Sequence, residues 1–125
     1  MSKLLDGARE EYANLPGLRM HYAEMGDSSG TPVLMLHGFP EFWYSWRFQM
    51  RALADAGYRA IAPDQRGYNL TEKHGPFDTQ TLCTDIANLQ DALGIARCHV
   101  VGHDWGGPVA WGLSLIHISE PTRPY

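Results

Sequence analysis

Residues 100–107 read VVGHDWGG, an apolar strand end that runs into an aspartate, Asp104, flanked by Gly102 and Gly106. The outline G-x-D-x-G is that of a nucleophile elbow, a sharp strand-to-helix turn that presents one reactive side chain at the top of a sheet. In a chain with 13 glycines the bare pattern is weak, and its context has to carry it. CHVV precedes it, GGPVAWG follows it, and Pro108 falls in the first turn of the expected helix, where a missing N–H is no loss. Gly102 and Gly106 would let strand and helix approach closely. An aspartate capping an ordinary helix has the same spacing, so the elbow needs a second piece.

Working outward, that piece is HGFP, residues 37–40, directly after the continuous apolar run VLML (33–36). A loop in this place supplies one backbone N–H to the oxyanion hole, expected here from Phe39, and the second donor is the N–H of Trp105, the residue after the nucleophile. His37, Gly38 and Pro40 then serve as loop support.

Between the two motifs the periodicities alternate. Trp43, Trp46, Met50 and Leu53 lie on one face of a helix over residues 43–55, YRAIAP (58–63) reads as a buried strand, and residues 64–76 form a polar loop. Leu82, Ile86, Leu89 and Leu93 set the inner face of a helix over 79–93 that Gly94 stops, and RCHVVG (97–102) is the third buried strand. Two short strands, 9–14 and 18–25, lead the chain and pair as an edge hairpin. The expected fold class is α/β, a mostly parallel sheet with a leading antiparallel hairpin.

HGFPEFWYSWRFQM, APDQRGYNLTEKHGP and GHDWGGPVAWG, in this order and spacing, resemble the α/β-hydrolase superfamily and, within it, the soluble epoxide hydrolases. The resemblance covers roughly residues 10–112 and departs from the family at Thr71, where serine is usual. It implies the N-terminal part of an α/β-hydrolase fold, with three more strands beyond RCHVV. It also implies a triad acid, a triad histidine and two cap tyrosines, all placed after the elbow and so beyond this chain. The expectation is a front end truncated after the elbow and inactive by itself.

Why should aspartate occupy the elbow? Serine needs a base to strip its proton, whereas a carboxylate is ionised at neutral pH and suits displacement at saturated carbon. The substrate expected is a small apolar epoxide, opened to a diol through an alkyl-enzyme ester that water then cleaves. A haloalkane or haloacid dehalogenase is the nearest rival, with Trp105 helping to hold the halide. The aromatic Phe39 argues for the epoxide branch. A non-catalytic ligand-binding module on the same scaffold is the rival of another class. His103 is expected at the surface, His37 as a loop organiser rather than a base, and Asp64 as a turn-capping acid at a strand end.

Net charge is −4 with both signs interspersed, which points away from a nucleic-acid partner, and no run approaches the roughly 18 apolar residues of a membrane span. Cys83 and Cys98 lack metal-ligand spacing and read as core thiols of a reducing compartment, with the cytoplasm as the expected address. No cofactor or metal is implied by ester chemistry. Residues 113–123, LSLIHISEPTR, are similar residue for residue to the in-frame translation of a sequencing-library adapter, which implies a catalytic-domain segment over 1–112 and a non-native tail over 113–125.

Overall fold

A computed structural model describes residues 2–117 of the chain. The hairpin strands are β1 (Arg9–Leu15) and β2 (Leu18–Met25), followed by β3 (Pro32–Leu36), α1 (Arg47–Asp55), β4 (Arg59–Pro63), α2 (Thr79–Ala92), β5 (His99–Gly102) and α3 (Gly106–His117). They build one mixed sheet in the order β1-β2-β4-β3-β5. β2 runs antiparallel to both β1 and β4, while β3 lies parallel between β4 and β5. This is the expected α/β architecture, with the hairpin at one edge of the sheet as its sequence pattern predicts. The adapter-like tail continues α3 as far as residue 117, and its remaining residues, 118–125, lie outside the described residues.

Side-chain alternation divides the core between the two faces of the sheet. Val33, Met35, Ala60 and Ala62 face α1, and the small alanines leave room for Trp43 and Met50, both fully buried. Leu34, Leu36 and Ile61 face the other way, onto Cys83, Ile86 and Leu89 of α2 and Val109 and Leu113 of α3. Asp78 caps α2 by accepting the Thr81 N–H at 3.1 Å, and Gly94, at φ +68°, takes the left-handed turn that ends it.

Three sequence expectations need correction. RCHVVG is not a strand buried on both faces. β5 begins at His99, Val100 packs toward α2 and α3, and His99 and Val101 are exposed, Val101 by 41%. The cause is topological: among the described residues β5 pairs only with β3, and α1 lies over β4 and β2 instead. The helix expected over 43–55 opens as a 3₁₀ turn, Trp43–Trp46, whose first N–H is held by Asp64 at 2.9 Å rather than by a local cap. Leu82 on α2 and Leu93 at its C-cap are only half-buried, whereas Cys83, Asp85 and Gln90 join Ile86 and Leu89 inside. That helix is covered on more than one stripe because α3 and the 64–76 loop pack beside the sheet contact. The thiol of Cys83 donates to the Val109 carbonyl of α3 at 3.3 Å.

Among the described residues no helix is long and apolar enough to cross a membrane.

Candidate active site

The two glycine motifs, 65 residues apart between Phe39 and Asp104, meet because β3 and β5 are parallel neighbours. Leu36 lies in register with Gly102, and the His103 N–H donates to the Leu36 carbonyl at 3.1 Å. Both strands therefore end at the same edge. From there one chain turns toward α1 on one face and the other enters α3 on the opposite face, the kind of switch point where α/β sheets bind ligands.

The turn after β5 is tight. Asp104 sits at φ +56°, a left-handed conformation that a non-glycine residue adopts only when its surroundings impose it. The first amides of α3 bond to backbone, Gly106 N–H to the His103 carbonyl at 2.8 Å and Gly107 N–H to that of Asp104 at 3.0 Å. The carboxylate is consequently not engaged as a helix cap, and its Oδ2 accepts the Phe39 N–H at 3.0 Å.

The flanking glycines are required by space rather than by dihedral angle. A Cβ on Gly102 would lie 2.2 Å from the Gly106 carbonyl oxygen, one on Gly106 would lie 2.1 Å from that of Leu36, and one on Gly38 would lie 2.4 Å from the Asp104 Cβ. The obstacles at Gly102 and Gly106 are backbone atoms in a packed sheet, which cannot swing aside. Gly106→Ala is expected to destabilise the chain by at least the ~3 kcal/mol at the upper end of ordinary overpacking, read as a lower urea midpoint. Gly107, whose Cβ would meet nothing within 4 Å, is the control, and Gly107→Ala is expected to be near neutral.

Asp104 is exposed, and its pKa is held below the ordinary carboxylate value, first by the Phe39 amide and then by the Trp105 amide, with His103 adding a smaller pull. It is therefore a carboxylate throughout the neutral range. The side chains of Phe39 and Trp105 are 60% and 62% exposed and line a cleft of about 450 Å³ together with Tyr68, Phe77 and Leu82. The wall is mostly apolar, with Gln65, Arg66 and Lys73 among its polar members, which suits a small apolar ligand. No group of three or more His, Cys, Asp or Glu among the described residues could hold a metal ion.

The two nearby histidines have different surroundings. His103 is at the surface, with Nδ1 3.3 Å from Glu41. His37 is buried, and its Nε2 accepts the Gln65 N–H at 2.9 Å, which leaves the proton on Nδ1 to be donated to the Gly38 carbonyl at 2.9 Å. Burial lowers its pKa, outweighing the opposing pull of the Gly38 carbonyl and the charges of Asp64 and Glu41. A lowered histidine pKa means that the unfolded chain binds the proton first. This contribution to stability is complete above about pH 6.5 and is lost as pH falls below that value toward the depressed folded one. Urea midpoints are expected to drop on acidification from about pH 7 to about pH 5.5, where the low-pKa carboxylates Asp27 and Asp78 still contribute fully.

Asp64 is not a local turn cap. It is completely buried, and its carboxylate meets His21 Nδ1 at 2.6 Å, the Trp43 N–H at 2.9 Å and Asn69 Nδ2 at 2.9 Å. These partners come from β2, from the 3₁₀ turn and from the 64–76 loop, so the residue joins three segments beneath the site. On its other side His21 faces Glu10 of β1 at 3.0 Å. Thr71 donates its hydroxyl to the Asp64 carbonyl at 2.6 Å and accepts the His21 N–H at 2.9 Å. Both bonds need only a hydroxyl, which explains why threonine can stand where serine is usual. The sequence reading also missed Arg66 and Asp85, a buried bidentate pair with contacts of 2.8 and 2.9 Å that ties the cleft loop to α2. No local periodicity marks such partners, because each lies on a different element.

A family model for the alpha/beta hydrolase fold matches residues 31–123. The chain is 47% identical over 123 residues to the AB hydrolase superfamily protein YfhM of Bacillus subtilis, covering 96% of this chain and 41% of that protein. It is 45% identical over 111 residues to Epoxide hydrolase 1 of Caenorhabditis elegans, covering 86% of this chain and 27% of that one. The solved structure of epoxide hydrolase VrEH1 from Vigna radiata superposes with a TM-score of 0.86 at 42% identity, over 96% of this chain and 37% of that one. The chain thus spans about two fifths or less of the length of these relatives.

Proposed function

The chain belongs to the α/β-hydrolase family, and from that membership we propose that Asp104 is the nucleophile of an epoxide-opening hydrolase. Epoxide hydrolases among the relatives and solved structures support the substrate class. The observation that carries the reading is the 3.0 Å bond from the Phe39 amide to Oδ2 of an exposed Asp104, whose neighbours Phe39 and Trp105 line the cleft.

The chemistry follows from that bond. Oδ1 attacks an oxirane carbon, the carbon–oxygen bond breaks with its electron pair on oxygen, and that oxygen takes up a proton from an acid or from solvent. Oδ2 then becomes the carbonyl oxygen of the new ester and already lies against the Phe39 amide, while the Trp105 amide also bonds the carboxyl group. When water adds to the ester carbonyl, negative charge develops on this oxygen, where fixed amides are worth most. Collapse releases the diol and restores the carboxylate.

Water needs a base, and neither nearby histidine is placed to be one. Both ring nitrogens of His37 are engaged in the loop, and His103 lines a separate hollow with Glu41 and Trp46 rather than the cleft. In the 125-residue chain the reaction therefore halts at the ester. Incubation with styrene oxide is expected to add one epoxide mass to the chain, mapped to Asp104 by digestion, with no diol above the buffer rate. Unmodified Asp104 after prolonged incubation would reject the nucleophile assignment, and diol release in excess of enzyme would reject the halt.

A further inference from the structure

The amide that meets Asp104 has a fixed direction, and the fixing can be traced residue by residue. Phe39 N–H and Gly38 C=O belong to one planar peptide unit, so whatever holds the carbonyl also aims the N–H. The Gly38 carbonyl accepts from His37 Nδ1 at 2.9 Å and from the Glu41 N–H at 2.9 Å. The preceding peptide unit is held at both ends as well, its N–H by the Glu41 carboxylate at 3.0 Å and its carbonyl by Gln65 Nε2 at 2.8 Å.

Gln65 thus grips His37 twice, through its backbone N–H to the ring at 2.9 Å and through its side chain to the carbonyl. The first bond imposes the tautomer that lets Nδ1 donate to Gly38. The second can only be made with the amide nitrogen toward His37, which leaves Oε1 buried and without a partner. Gln65 is 4% exposed, and an unpaired buried carbonyl is unfavourable.

We infer that Gln65 is a positioning residue for the oxyanion amide, acting through His37 and the Gly38–Phe39 peptide on the carboxylate of Asp104. The idea rests on the reading of Asp104 as a functional carboxylate, but its test needs no epoxide. Gln65→Met keeps the length and removes the donor, and Gln65→Glu sets an acceptor against the His37 carbonyl. In both, the titration midpoint of the Asp104 carboxyl carbon, followed by NMR, is expected to move upward, and the Phe39 amide proton is expected to move upfield. Gln65→Met should do so with a moderate loss of stability, since it removes the orphan oxygen but also takes its donor from the His37 carbonyl. Leu89→Ala, a core truncation under α2, is the control that lowers stability and leaves both signals in place.

Unchanged Asp104 and Phe39 signals in either folded variant would overturn the inference. So would a wild-type His37 ring with its proton on Nε2, a measurement that requires no substitution. Failure of the epoxide reaction with these signals still coupled to Gln65 would discard the proposed function and leave the positioning role standing.

Discussion

Asp104→Asn is expected to abolish epoxide capture, lowering the rate of adduct formation by at least about 100-fold, to the level of stray reactions at other side chains. The substitution is nearly isosteric, and the asparagine carbonyl can still accept the Phe39 N–H, so the turn and its positive φ persist. The nucleophile is what disappears, because the amide nitrogen has given its lone pair to the carbonyl. The wild-type rate should stay flat on acidification until pH passes below the ordinary aspartate value near 3.9, since the two amides keep Asp104 ionised lower than usual. Intact-mass time courses at several pH values measure both effects. Equal labelling of wild type and Asp104→Asn would remove the basis of the mechanism.

The second large effect lies away from the chemistry. Asp85→Ala leaves the Arg66 guanidinium, only 8% exposed, without its bidentate partner, and breaking a buried pair in this way costs about 3–5 kcal/mol. Against a domain stability of about 5–15 kcal/mol, that is enough to shift much of the chain toward unfolding at room temperature. Arg66 also donates to the His74 carbonyl at 3.0 Å, so its release loosens the loop that walls the cleft. Replacing both charges, as in the double variant Arg66→Met with Asp85→Leu, is expected to recover most of the loss because no unpaired charge remains. Urea melts of Arg66→Met, Asp85→Leu and the double variant, set against wild type, form a complete cycle. A single variant as stable as wild type would show that the guanidinium reaches water more easily than its burial implies.

Local patterns made the fold readable. The alternation of apolar runs with helical spacing places β3, α1, β4 and α2 in order, and Asp78 and Gly94 mark the limits of α2 with chemistry confined to a few neighbouring residues. The tight turn at Asp104 was legible for the same reason, since its glycines, its aspartate and its preceding strand lie within eight residues. HGFP was legible from its position after an apolar strand.

The errors share a cause. Asp64 looked like a turn residue because its neighbours in sequence are turn-formers, while its actual partners sit on β2, in the 3₁₀ turn and in a loop. β5 looked buried because its composition is apolar, yet exposure depends on which elements lie beside a strand, and α1 does not reach this one. Arg66, Asp85 and Gln65 carried no signal, because charged and amide side chains in a polar loop or on a helix are ordinary until a partner is found.

By itself the sequence determined the order of most strands and helices, and which side chain stands in the turn after β5, because hydrophobic spacing and glycine geometry act over a few residues. Only the tertiary structure decided that Phe39 meets Asp104, that Gln65 holds His37, and that a buried ion pair braces the cleft wall. Those contacts exist because β3 and β5 lie side by side in the sheet, and pairing between distant strands is written in no local stretch of the chain.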